Sequence, residues 1–217
     1  MPRGSFRQAT RTRLKVCCIS SVEEALAAVG CGADALGLVG QMPSGPGVIG
    51  DELAREIARS VPPSVTPILL TSRDTAADIV DHARLVGVST VQMVMHVEPA
   101  VHARMAELAP WLRRVQVLQV EDESVLALAK SYEAHVDALL LDSGHPAASE
   151  FGGTGRVHDW ALSAKVVQAS RCFAERCTGL LAGLLMQRVR VELSRRSSRS
   201  LRRCGFPRRL RARARRP

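Results

Sequence analysis

Along the first 170 residues, short runs of Val, Leu, Ile and Ala alternate with stretches in which apolar residues recur every three or four positions. The runs at 14–19, 35–39, 66–70, 90–94, 114–120 and 138–142 have the near-continuous apolar character of strands covered on both faces of a parallel sheet. The stretches at 22–29, 52–59, 75–86, 101–108, 124–132 and 160–169 have the spacing of helices with one buried face. Start signals agree: Ser21 stands before Glu23-Glu24 as a cap with an acidic first turn, and Asp74 is expected to open the third helix. The unit recurs roughly every 25 residues, six times over, as strand–helix repeats joined by right-handed crossovers do. Two architectures accommodate that pattern, an open doubly wound sheet and a closed (β/α)8 TIM-type barrel. The first run lacks the glycine-rich phosphate turn of a dinucleotide-binding sheet. Polar and reactive residues gather instead at the C-terminal ends of the runs, as Cys17-Cys18, Gln92, Gln119 and Asp142-Ser143. Barrel enzymes carry their chemistry on that rim, so the expected fold is the α/β barrel.

The chain has 217 residues, 46% hydrophobic and 24% charged, which suits one domain with a sizeable core and excludes a wholly disordered chain. No apolar run reaches the roughly 18–20 residues that span a bilayer. The basic N-terminal stretch leads straight to Lys15 and Glu23-Glu24 without the apolar centre of a secretory signal, so a cytoplasmic protein is expected. The formal charge of +9 suggests a nucleic-acid partner until it is located. Residues 1–170 carry a net −4, and residues 171–217, with 15 Arg, no Lys and two Glu, carry +13. The chain therefore divides into an N-terminal extension (1–12), a barrel body (13–170) and an Arg-rich tail (171–217). None of the six cysteines forms a CxxC pair or stands at zinc-ligand spacing from a histidine, so no metal is expected and the thiols are read as reduced.

Cys17 ends the first run. A thiol at a barrel mouth beside a lysine can be held as thiolate and act as base or nucleophile, although free cysteines more often pack as small apolar groups. Asp142 closes an apolar strand, where a carboxylate must be desolvated or paired; a general acid and a loop cap fit that position about equally. Gly152-Gly153-Thr154-Gly155 could present backbone N–H groups to a phosphate, or form a plain turn. The histidines at 82, 96, 102 and 135 fall in or beside helices and read as surface residues, whereas His145 and His158 border the Asp142 loop.

Lys15-Val16-Cys17, Gly32-Ala33-Asp34-Ala35-Leu36-Gly37, Val91-Gln92, Leu140-Leu141-Asp142-Ser143 and Gly152-Gly153-Thr154-Gly155 with Asp159-Trp160 occur in that order. The series resembles the phosphoribosylanthranilate isomerase family, (β/α)8 barrels of tryptophan biosynthesis, over about residues 13–170. The resemblance implies an Amadori rearrangement of N-(5-phosphoribosyl)anthranilate to the 1-deoxyribulose 5-phosphate, with neither metal nor organic cofactor. It makes Asp142 the general acid that opens the furanose ring and Cys17 the general base that removes the C2 proton. It places Gln92, Gly152, Gly153 and Gly183 around the phosphosugar substrate.

Several positions depart from the family pattern. Cys18 replaces a glycine after the base, so the turn loses its permissive residue. Gly45-Pro46-Gly47 stands where a Ser-Pro-Arg is expected, and with it goes the Arg that would hold the anthranilate carboxylate. Val94 replaces a histidine. After residue 170 the pattern stops: Leu181-Ala182-Gly183-Leu184-Leu185 is a partial echo of the seventh-strand phosphate loop, and the rest is Arg-rich sequence that cannot supply buried strands. The tail is either a basic appendage for nucleic acid or acidic partners or the product of a shifted reading frame, and the abrupt break favours the latter. A barrel left open in this way is expected to be weakly stable and weakly active. The alternatives to the leading function are an inactive barrel remnant with a nucleic-acid-binding tail, and an isomerase of another phosphosugar. Oligomeric state is not legible.

Overall fold

A computed structural model of the chain describes residues 13–43, 47–142 and 159–169. The strands are β1 (Lys15–Val16), β2 (Ala35–Val39), β3 (Thr66–Thr71), β4 (Thr90–Met93), β5 (Arg113–Gln119) and β6 (Ala138–Asp142). Each is followed by a helix: α1 (Val22–Gly30), α2 (Asp51–Ser60), α3 (Ala76–Val86), α4 (Pro99–Leu108), α5 (Ser124–Tyr132) and α6 (Trp160–Ala169). The six strands form one sheet in the order β1-β2-β3-β4-β5-β6, every pair parallel.

That order separates the two architectures. A doubly wound sheet reverses direction at a switch point and places helices on both faces. Here every crossover steps the same way, so right-handed connections put all the helices on one face, as in a barrel wall. The sheet also curls. Strands β1 and β4 would lie about 14 Å apart in a flat sheet, yet Lys15 Nζ donates to Gln92 Oε1 at 2.6 Å across the other face. The fold is six βα units of an eight-fold barrel.

The period-two alternation of the strands divides the core into two layers. Val16, Leu36, Leu38, Leu69, Val91 and Met93 pack outward beneath α1–α4, and Leu118, Leu139 and Leu141 do so beneath α5 and α6. On the concave face a smaller group, Val39, Met42, Ile68 and Leu70, is flanked by half-buried Ala35, Val94, Cys17 and Cys18.

Local signals explain most boundaries. Ser21 Oγ accepts the Glu24 N–H at 3.1 Å while Glu24 reaches back to the Ser20 N–H at 2.8 Å, a capping arrangement that contributes about 1 kcal/mol. The third helix is capped by Thr75, not Asp74: its hydroxyl accepts the Asp78 N–H at 3.2 Å. A repeated Asp-Ala-Leu has a common role. Asp34 accepts the Leu14 N–H at 2.8 Å and Asp137 accepts the Arg114 N–H at 3.0 Å, so each aspartate ties the strand it precedes to the one before. The first strand is shorter than the expected 14–19 because Cys18 adopts a left-handed backbone, φ 59°, and turns the chain.

The surface reading of His82 and His102 is corrected: both are buried. His82 on α3 lies between Thr71 Oγ1 at 3.2 Å and Asp51 Oδ1 at 2.9 Å. His102 on α4 contacts Gln116 Oε1 at 3.0 Å. Thr71 and Gln116 project outward from the sheet, and each gives a helix-borne imidazole the partner that burial demands. His96 is exposed and His135 half-buried.

Candidate active site

Because all strands run the same way, their C-terminal ends form one rim, and Cys17 and Asp142 both lie on it. Cys17 follows β1 directly, and its side chain crosses toward β2, where a glycine makes room. A Cβ on Gly37 would meet Cys17 Sγ at 2.5 Å and Lys15 Cε at 3.2 Å. Gly37 therefore defines the slot in which the thiol and the lysine stem lie, although it was read only as part of a motif block.

Lys15, two residues earlier on the same face of the strand, is the large charged side chain of this interior, only 2% exposed. Its ammonium donates to Gln92 and to the sulfur of Cys17. The Cys17 thiol is lowered to about 5, first by a hydrogen bond from the Cys18 thiol and then by the charge of Lys15, against the opposing effect of burial. At neutral pH it is a thiolate. Cys17 is thus half-buried and ionised at once.

Asp142 ends β6 in register with Gln119, half-buried, and its carbonyl accepts the Val120 N–H at 2.9 Å. Alternation along β6 puts Ala138, Leu140 and Asp142 on the concave face, since Leu139 and Leu141 pack under the helices. Cys17 and Asp142 thus share a rim and a face, on the two outermost strands of the sheet. Gln92 shares the face but lies buried below the rim, its amide oxygen holding Lys15, so its contribution passes through the lysine. Gly152, Gly153 and Gly183 lie outside the described residues, as do His145 and His158. Among the described residues no group of three or more His, Cys, Asp or Glu could hold a metal ion.

The two departures nearest the base fit each other. Gly47 has φ +78°, and a Cβ there would stand 2.5 Å from Cys18 Cβ and 3.1 Å from its sulfur. Cys18 fills the space that a side chain at 47 would need. An arginine at 47 is incompatible with the cysteine at 18, and no cation replaces it from that position. Lys15 reads from the sequence as the cation beside the thiol, whereas Gly37 and Cys18, which also shape the surroundings of Cys17, appear there only as parts of motifs. The signal for Lys15 was its place two residues before Cys17 on one strand face; for the pairing of 18 with 47 the sequence offers none.

No family model matches the chain. N-(5'-phosphoribosyl)anthranilate isomerase 2 of Methanosarcina mazei is 36% identical over 159 residues, 72% of this chain and 70% of that protein. The Halobacterium salinarum (strain R1) isomerase is 35% identical over 167 residues, 76% of this chain and 71% of its own length. Among solved structures, a monomeric form of the dimeric phosphoribosylanthranilate isomerase of Thermotoga maritima superposes with a TM-score of 0.60 at 25% identity, covering 74% of this chain and 72% of that one. The Thermus thermophilus phosphoribosyl anthranilate isomerase, at 20% identity, shares the fold with a TM-score of 0.64 over 83% of this chain and the whole of that one. Identity of this extent with proteins of one activity, on a fold that superposes on solved structures of the same name, means that the chain belongs to the phosphoribosylanthranilate isomerase family.

Proposed function

We propose that the chain catalyses the Amadori rearrangement of N-(5'-phosphoribosyl)anthranilate to the corresponding 1-deoxyribulose 5-phosphate, a step of tryptophan biosynthesis. Asp142 delivers a proton to the furanose ring oxygen, and the ring opens to a Schiff base. The Cys17 thiolate then removes the C2 proton, leaving an enolamine that tautomerises to the ketone. Ring opening needs a donor and C2 abstraction needs a separate base, and two groups on one rim supply both. The observation that carries this reading is the Cys17 thiol held as thiolate by Cys18 and Lys15 at the barrel mouth. Its partner is a small phosphosugar, with Gly152, Gly153 and Gly183 near the substrate, and neither metal nor organic cofactor takes part. Its compartment is the cytoplasm, in keeping with described helices too short or too polar to cross a membrane. Anthranilate fluorescence reports turnover directly. Cys17→Ser and Asp142→Asn should each lower kcat by roughly 100-fold or more, and full activity in both variants would remove these roles.

The pairing of Cys18 with Gly47 supports a narrower point about specificity. With no arginine at 47, the anthranilate carboxylate contributes little to binding. A phosphoribosylaniline lacking that carboxylate should have a KM close to that of the anthranilate substrate; a large loss of affinity would show that another cation reads the carboxylate.

A further inference from the structure

Cys18 has no proton-transfer step of its own in the rearrangement, and it stands where the family pattern has glycine after the base. In a regular strand, successive side chains point to opposite faces. The left-handed backbone of Cys18, φ 59°, breaks that alternation. Cys17 and Cys18 consequently pack against the same concave-face group of Val39, Met42, Ile68 and Leu70. Glycines on neighbouring segments accommodate both, Gly37 against the Cys17 sulfur and Gly47 against the Cys18 sulfur. Both side chains are partly open to solvent. The Cys18 thiol hydrogen-bonds the Cys17 sulfur, and the Lys15 ammonium lies beside it. A thiolate with a cation at hand and a second thiol next to it is the arrangement of a peroxide-sensing pair.

We propose that Cys17 and Cys18 form a vicinal dithiol that hydrogen peroxide closes to a disulfide, reversibly withdrawing the base from the site. The Cys17 thiolate attacks one peroxide oxygen; the O–O bond breaks, leaving a sulfenic acid and a hydroxide ion. The Cys18 sulfur then attacks the sulfenic sulfur; the S–S bond forms, the S–O bond breaks, and the departing hydroxyl leaves as water with the Cys18 proton. The two sulfurs together lose two electrons, which the peroxide gains. Consecutive Cα atoms are about 3.8 Å apart, inside the roughly 4.4 Å lower limit usual for disulfides, so the bridge is strained and readily reduced. Dithiol reductants therefore restore the base, where a solitary thiol would proceed to sulfinic acid.

The modification stands on the two cysteines alone; only its effect on turnover rests on the function proposed above. The test uses the full chain carrying Cys31→Ser, which removes the third cysteine from the tryptic peptide holding the pair. After brief hydrogen peroxide treatment, quenching and iodoacetamide, that peptide should be lighter than the reduced dithiol by two hydrogens and unalkylated at 17 and 18. Isomerase activity should fall by roughly 100-fold or more and return with dithiothreitol. Cys18→Gly, which places glycine where the backbone is left-handed, should instead yield Cys17 sulfinic acid that dithiothreitol does not rescue. The proposal is overturned if Cys17 is oxidised beyond sulfenic acid while Cys18 still alkylates, or if Cys18→Gly recovers as well as the parent. A chain inactive before peroxide that nonetheless forms the disulfide would support the dithiol and count against the isomerase function.

Discussion

Lys15 is a charged residue buried on the concave face of a sheet, and such a group is costly unless it is paired and hydrogen-bonded. It has both kinds of partner: the Gln92 amide oxygen at 2.6 Å and the Cys17 sulfur. The hydrogen bond from Cys18 and the nearby ammonium together overcome the burial that would otherwise keep Cys17 protonated. With Cys17 as the proposed base the thiolate is the active form, and kcat/KM should rise with pH through about 5 and then level toward neutrality. Lys15→Met removes the cation and keeps the bulk, so the acid limb should move upward by about one unit. A pH profile of kcat/KM measures this, and a limb left near 5 would show that the lysine has no electrostatic hold on the base. Gly37 sets the geometry of the same group, because any Cβ there displaces the sulfur.

Helices α1 and α3 cap their N-termini with local side chains, whereas buried polar partners come from neighbouring elements. The Asp-Ala-Leu repeats at 34–36 and 137–139 link consecutive strands. Asp137 is lowered despite its burial, because hydrogen bonds from Arg113 and Arg114 outweigh desolvation. On the outer face, burial holds His102 down to about 4 and also lowers His82. His102 is neutral in the fold at pH 6.5 and His82 is held below its ordinary value, whereas the imidazoles of the unfolded chain take up protons there. As pH falls from 6.5 toward 4 the unfolded state binds more protons than the folded one, and stability is lost. His102 alone accounts for about 2 kcal/mol by pH 5. The Cys17 thiolate acts in the same direction, because its lowered thiol stays ionised in the fold down to about 5 while the unfolded thiol is protonated. Urea midpoints should therefore fall between pH 7 and pH 5. Cys17→Ser should remove the thiol's share of that slope and keep the histidines' share. A midpoint independent of pH in that variant would mean that the imidazoles are not held neutral.

Over the whole molecule, the described sheet pairs β1 with β2 and β5 with β6, and the described strands offer β1 and β6 no further partner. A closed barrel has no edge, and the family resemblance implies a phosphate loop after a seventh strand. Residues 170–217 lack the apolar pattern of buried strands. Joining residues 13–169 to the last two βα units of the Methanosarcina mazei relative should raise Tm and lower KM. The charge-assisted hydrogen bonds of a phosphate site make a KM change of roughly 10–100-fold the expected size. Thermal melts and turnover kinetics compare the two proteins, and a chimera no better than the native chain would show that residues 170–217 do not impair the barrel.

Element type and order were readable from the sequence because burial imposes a period of two or of about 3.6 on the chain, and 35–39, 124–132, 138–142 and 160–169 match the structure at both ends. Cap chemistry is local, so Ser21 was readable as well, while Asp74 and Thr75 are two acceptable caps between which backbone geometry chose. The family blocks and the break after residue 170 were also matters of sequence. The barrel was favoured over the doubly wound sheet by the missing glycine-rich turn, the polar strand ends and the family blocks, and the strand order bears that out. The order itself was not readable, since buried parallel strands look alike wherever they lie. Nor were the partners of His82 and His102, which lie on other elements, so that the imidazoles read as surface groups. The site shows the division most clearly. Cys17 was visible as a candidate base, but its ionisation depends on Cys18 turning to the same face, on room at Gly37, and on Lys15 anchored to Gln92, 77 residues away. Periodicity reports which face a residue occupies; only the curled sheet decides which distant residues meet there.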